Sequence, residues 1–322
     1  MLIFNAHVHL NGSMSEEYLE VTARRNGCTE HFQGFLAETD LWKKFSWIHQ
    51  IIQTPEDIKL ATLDVVKHST ADILEIRTTA KAMGRHSVDA YIQAFVEGLR
   101  EANAQYPQKR ARGLLSIDRT KHTLSDAKQI IDAAVAEKKK SGMIVGIDLS
   151  GNFVGPRKLT GDGLYQAVMY ALQQDIGAAL HVGEIDSEDE RRDFDTILRA
   201  VQDYKEKQQG KIYGKVRFGH AIYRTPEQDE IIRKLKIPVE VCPSCHEVLD
   251  WWKKGQPHPI LSLYTHRTRV LAGTDDNLLF RCNDKDEQHK LDSFLHVPEK
   301  YAQLSEDAQH EIISAKRKRY MF

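Results

Sequence analysis

Cysteine is scarce in this chain. Cys28, Cys242, Cys245 and Cys282 are the four in 322 residues, too few and too scattered for a disulfide framework, which suits a reducing compartment. No apolar run approaches the roughly 18–20 residues that cross a bilayer, and the first residues lack the basic, apolar and small-residue order of a secretory leader. The expectation is a cytoplasmic protein with no membrane partner. An excess of one charge is missing too: 45 Lys and Arg against 46 Asp and Glu leave a net charge of -1, with no general attraction to nucleic acid. Any anionic ligand must be held by local groups. Repeats, low-complexity segments and a domain boundary are absent as well, and 41% hydrophobic content supplies a core for one barrel-sized domain, expected over 1–322.

What the chain has is histidine, 15 in all. The first informative pair is His7-Val8-His9, directly after Leu2-Ile3-Phe4. Residues i and i+2 of a strand point to one face, so both imidazoles can reach a single metal ion.

From Asp72 onward β-rich runs alternate with helical ones. The expected strands are Asp72–Arg77, Arg112–Ile117, Met143–Leu149, Ala178–Val182, Lys215–Gly219, Ile237–Cys242 and Arg269–Gly273. Helices are marked by Ser13 to Asn26 closed by Gly27, and by capping boxes at Ser187 with Glu190 and at Thr225-Pro226 with Gln228. Apolar stripes of helical period run through Val88, Ile92, Phe95, Val96 and Leu99, and through Phe194, Ile197, Leu198 and Val201. With Leu2–Val8 this makes eight strands, each followed by a helical connection. The fold class is α/β, and the pattern predicts a single (β/α)8 TIM barrel of parallel strands. Between the first two strands, Phe32, Phe35, Leu36, Leu41, Trp42, Phe45, Trp47 and Ile48 imply extra short helices, either ordinary core or an apolar lid over a site. The basic run Lys316-Arg317-Lys318-Arg319 reads as a solvated helix end rather than a targeting signal.

Chemistry in such barrels sits at the carboxyl ends of the strands. Strand one ends in His7 and His9, strand five in His181-Val182-Gly183-Glu184, strand six in Gly219-His220 and strand eight in Thr274-Asp275-Asp276. Three histidines and one aspartate from these ends can serve one metal ion, leaving Glu184 and His220 for proton transfer.

Taken in order, His-x-His-Leu, His-Val-Gly-Glu, Gly-His and Thr-Asp-Asp resemble the adenosine deaminase family of the amidohydrolase superfamily. The resemblance covers nearly the whole chain. It includes Leu74-Glu75-Ile76-Arg77, Gly146-Ile147-Asp148-Leu149-Ser150-Gly151 and the Leu41 to Ile48 stretch, which matches the family's lid helices. It implies one Zn2+ per chain, held by His7, His9, His181 and Asp275, that lowers the pKa of a water towards neutrality. It further implies that protonated Glu184 donates to a purine ring nitrogen, and that His220 orients the attacking oxygen as general base or electrostatic partner. Asp276 would bond the imidazole side of the purine, and Gly151 would let its backbone amide approach the ring. The products would be an inosine-type purine and an amine, made by a monomer.

Substrate choice turns on two departures. Where adenosine deaminases proper usually carry Asp, this chain has Asn11, and an amide there does not repel a 5′-phosphate. His-Leu-Asn-Gly-Ser is similar to the adenosine-deaminase-like proteins that act on N6-methyl-AMP. Arg77-Thr78-Thr79-Ala80-Lys81 replaces the usual pattern with two hydroxyls and an amine, so Thr78, Thr79 and Lys81 are expected to cradle an anion. The ligand expected is a small-molecule purine nucleotide or nucleoside. Trp42, Phe45 and Trp47 offer apolar surface for an alkyl group on the leaving amine.

Elsewhere the match loosens. Cys242-Pro243-Ser244-Cys245-His246 stands where Ser-Asn is usual, and lacks the export signal or second Cys pair that a haem or zinc reading needs. These are expected to be ordinary loop residues near the mouth. Asn277 replaces a usual proline, and the Pro-Lys-x-Glu-Leu lead-in is missing. The rival activities are deamination of adenosine or another adenine compound, a cyclic amide hydrolase, and a purine-binding protein without turnover. Glu184 speaks against the second, and retention of every ligand and acid against the third.

Overall fold

Runs rich in Ile, Val and Leu favour a pleated, fully covered surface, and eight of them form parallel strands in a computed structural model. The structure describes residues 3–295 apart from 153, 208–211, 213, 254, 266 and 267, so the run Lys316 to Arg319 lies outside the described residues. The strands are β1 (Phe4–His9), β2 (Ile73–Thr78), β3 (Arg110–Asp118), β4 (Ile144–Ser150), β5 (Gly177–Val182), β6 (Val216–His220), β7 (Val239–Val241) and β8 (Val270–Ala272), neighbours in that order. The (β/α)8 barrel is as predicted. Backbone bonds bring its first and last strands together. Thr274 and Asp275 donate to the His7 carbonyl at 3.1 and 2.8 Å, and His9 donates to the Asp275 carbonyl at 2.8 Å. The seam therefore fixes His7, His9 and Asp275 against each other through the main chain.

Four helices separate β1 from β2: α1 (Glu16–Arg25), α2 (Thr29–Ala37), α3 (Leu41–Ile51) and α4 (Pro55–His68). Phe32, Phe35 and Ile48 are buried, whereas Leu36 and Trp42 remain 46% and 40% exposed, so the aromatic stretch is core on one side and surface on the other. Single helices follow the next strands: α5 (Val88–Gln105), α6 (Leu124–Ser141), α7 (Gly161–Gln173), α8 (Glu188–Lys207) and α9 (Pro226–Leu235). Short helices α10 (Pro243–Val248) and α11 (Leu261–Thr265) follow β7, and α12 (Asn277–Phe280) and α13 (Asp284–Leu295) follow β8.

Some expected ends move. The first helix begins after Ser15, whose hydroxyl caps Tyr18, because Ser13 is drawn to the Asp275 carbonyl and Asn277. Asn277 in turn donates its N–H to Ser13, a bond that the proline expected there from the resemblance could not make. The Thr225 capping box forms in full with Pro226 in place. At Ser187 only half forms: its hydroxyl accepts the Glu190 amide at 3.2 Å, but the Glu190 carboxylate turns inward to Arg157.

The barrel interior is ionic at its centre. Arg77 donates to Asp148 and Glu240 at 2.9 Å each, and Arg217 donates to Glu240 at 2.6 Å and Glu75 at 2.5 Å, all fully buried. Alternating charge lets each partner offset the other's desolvation.

Candidate active site

The strand ends gather the predicted donors. His9 Nε2 lies 3.3 Å from both His7 Nε2 and His181 Nε2, and 3.4 Å from Asp275 Oδ1. His7 Nε2 is 3.6 Å from the same oxygen. Behind them, Glu240 Oε2 stands 2.9 Å from His7 Nδ1, and Asp148 Oδ1 lies 3.1 Å from His181 Nδ1 though out of line with its N–H. Carboxylates only accept, so they favour the ring proton on Nδ1 and leave Nε2 a lone pair. Lone pairs aimed at one another across 3.3 Å repel unless a cation lies among them. The spacing also matches a tetrahedron of zinc–nitrogen bonds of about 2.0–2.1 Å, whose edge is roughly 3.3 Å. The donors of His7, His9 and Asp275 thus fit one such ion, and His181 stands at the same 3.3 Å spacing from His9. His220 and Cys242 approach the same cluster, each with a donor atom within 4.8 Å of Asp275.

Carboxyls facing the mouth behave differently from those beneath it. Burial pushes Glu184 up to about 7, outweighing Arg119, whose Nη2 donates to Glu184 Oε2 at 2.5 Å. Burial and the adjacent Asp275 carboxylate raise Asp276 well above the usual range, and its buried Oδ1 has no hydrogen-bond partner among the described residues. Against the push of burial, His7 and the neighbouring imidazoles hold Asp275 well below that range. Two glycines admit this packing. A Cβ on Gly12 would sit 1.8 Å from Asp276 Oδ1, and Gly151, at φ 129°, would place one 2.6 Å from Asp118 Oδ1.

Beside the cluster, His220 Nε2 is 3.9 Å from Asp275 Oδ2, and its Nδ1 is 3.0 Å from His246 Nε2. Cys242 and Cys245 are buried free thiols whose pKa values burial drives well up. Cys245 and His246 lie on α10 rather than in a loop, and His246 is joined to His220. The expectation of ordinary loop residues is corrected on both counts.

The residues expected at a phosphate divide. Asn11, Thr79 and Lys81 are half-buried, but Thr78 is buried with its hydroxyl 2.6 Å from Tyr91 Oη, and so is taken up by the protein. Unforeseen in the sequence, His49 of α3 and Lys121 after β3 join Lys81. Burial and Lys121 lower the pKa of Lys81, while burial and both lysines push His49 down to about 4. Lys121 has Asp118 at 2.8 Å; Lys81 and His49 have no carboxylate partner among the described residues. Of the aromatics offered for an alkyl group, Trp47 packs on Gly34 and His31 of α2, and Trp42 on Phe45.

A sequence model described as Adenosine deaminase matches residues 4–321. N6-Methyl-AMP deaminase-L of Xenopus laevis is 29% identical over 250 residues, 73% of this chain and 67% of its own. Among solved structures, arabidopsis ADAL complexed with GMP aligns at a TM-score of 0.78 and 23% identity, covering 97% of this chain and 90% of that one. A cog1816 amidohydrolase from Burkhoderia ambifaria, with bound Zn, aligns at 0.69 and 16% identity, covering 99% and 89%.

Proposed function

The chain belongs to the adenosine deaminase family and is a purine deaminase; from that premise we propose that it hydrolyses a purine 5′-monophosphate. N6-methyl-AMP or a close N6-substituted relative is the substrate, and IMP and an amine are the products. His7, His9, His181 and Asp275 would hold one Zn2+, which when bound lowers the pKa of water towards neutrality.

The protein's own groups do the rest. Glu184, half protonated near pH 7, donates to the ring nitrogen beside the reacting carbon and makes that carbon electrophilic. Asp276, whose carboxyl burial and Asp275 raise well above the usual range, can in its protonated form donate to the acceptor nitrogen of the imidazole ring, which an ionised carboxylate could not do. Gly151 brings backbone close to the purine, and His220 faces the attacking oxygen. Asn11 and Thr79 flank the ribose phosphate. Lys81 and Lys121 meet its charge, His49 can donate to it as a neutral imidazole, and because α3 carries His49, the helices after β1 serve as the lid.

The observation that carries this reading is that Lys81 and Lys121 lie within electrostatic reach of each other and of His49, two ammonium charges beside a neutral imidazole. The relatives support it, in that one is named for N6-methyl-AMP and a structural neighbour holds GMP. The test is turnover of adenosine, AMP, N6-methyladenosine and N6-methyl-AMP by zinc-loaded protein, followed by ultraviolet absorbance. N6-methyl-AMP should be preferred. Preference for adenosine would overturn the phosphate assignment and leave the deaminase chemistry standing.

A further inference from the structure

Beyond His220 runs a line of buried imidazoles that the reaction as proposed does not use. Pro243 opens α10 directly after β7 and so sets His246 with Nε2 3.0 Å from His220 Nδ1. His246 Nδ1 is 3.1 Å from His258 Nε2, and His258 Nδ1 accepts the backbone N–H of Ile260 at 3.2 Å. Exposures of 1%, 0% and 2% for His220, His246 and His258 keep water from substituting for any partner. Trp251 packs across both His220 and His246, at ring distances of 5.2 and 5.8 Å.

We propose that His246 and His258 are positioning residues that fix His220 as the tautomer with its proton on Nε2, facing the reaction centre. The direction follows from the far end. A main-chain N–H can only donate, so His258 Nδ1 must accept and its ring proton sits on Nε2. That proton is donated to His246 Nδ1, which places the His246 proton on Nε2, donated in turn to His220 Nδ1. Reversing the line would set two N–H groups face to face at Ile260 and leave buried donors unpaired, at a cost that one good orientation avoids. Burial holds His258 near 3 and His246 well below the usual imidazole range, so neither carries a second proton at neutral pH.

What the line serves rests on the deaminase reading. With Nε2–H turned inward, His220 is a hydrogen-bond donor to the attacking oxygen, not its general base. It also has no lone pair for a metal, although it lies beside the ligand cluster. The residue that makes this possible, His246, lies in the Cys242–His246 stretch, where the family resemblance leads one to expect Ser-Asn.

The experiment is a two-bond 15N–1H correlation spectrum of the zinc-loaded full chain with labelled histidine, which distinguishes Nδ1–H from Nε2–H. His220, His246 and His258 should all show Nε2–H, whether or not any purine is turned over. His246→Phe removes the donor, and His220 should become a mixture of tautomers, with kcat down about 10- to 100-fold, the usual range for outer-sphere partners. KM should stay unchanged. His246→Gln, whose amide N–H stands where Nε2–H was, should restore both the tautomer and most of kcat. Nδ1–H on His220 in the parent protein would overturn the proposal, as would a parental rate in His246→Phe. Should that variant fail to fold, the parent spectrum and His246→Gln still decide.

Discussion

Two sets of buried carboxyls meet in one barrel and are treated in opposite ways. Below the cluster, Glu240 and Asp148 are fully buried yet held far below the usual carboxylate range, since Arg77, with Arg217 or His181, outweighs desolvation. At the mouth, Glu184 and Asp276 are also buried but raised, Glu184 despite an arginine at 2.5 Å. The residue type is the same and the protonation state is not. The count of compensating charges decides which carboxyl orients an imidazole and which can donate a proton.

The sharpest way to break the contrast is to remove the donor at the mouth. Glu184→Gln keeps the shape and loses the transferable proton, so kcat should fall about 100- to 10,000-fold, with bound zinc unchanged by metal analysis. Near-parental turnover would take Glu184 out of the acid role. The matching change below is Glu240→Gln, which strips the partner from His7 and leaves two arginines undercompensated. Denaturant unfolding should show a loss of about 3–5 kcal/mol, and zinc titration should show affinity weakened about 10- to 100-fold. A loss of rate without loss of stability or zinc would erase the distinction between the two sets.

Proton titration sharpens the same contrast. Glu184 is a donor only while protonated, so with a pKa of about 7 the rate constant kcat/KM should decline on the alkaline side of 7. Arg119 opposes that raised value. Arg119→Gln should therefore move the alkaline limb to higher pH, and an unmoved limb would assign it to another group.

The fold was legible because strand–helix alternation is a local signal repeated eight times, and the candidate metal donors because each sits at or just past a strand end. The supporting residues were harder to see. Glu240 between Val239 and Val241, or Arg217 beside Val216, does stand out as a lone charge in a strand, but its partners lie up to 233 residues away. His246 was visible in the motif, yet its meaning depends on His258 and a main-chain N–H that only the turn after α10 brings to it. Thr78 shows the opposite failure: a hydroxyl suited to phosphate is claimed by Tyr91, 13 residues on and one helix away.

The mildest test lies at the rim, where Lys121 has Asp118 but Lys81 has no carboxylate partner among the described residues. Lys81→Ala removes one of two ammonium charges, so KM for N6-methyl-AMP should rise about tenfold, the worth of one charge-assisted contact of about 1.5 kcal/mol. KM for N6-methyladenosine should hardly move, since that substrate brings no charge. The same substitution should also register without any substrate. His49 is pushed down to about 4 by burial first and then by Lys81 and Lys121, so deleting Lys81 must let its pKa climb, as an NMR titration of the ring would show. An unshifted His49 would mean that burial alone sets its value and that the two groups are too far apart to clasp one phosphate. An upward shift together with a KM rise confined to the monophosphate would place both side chains around the same anion.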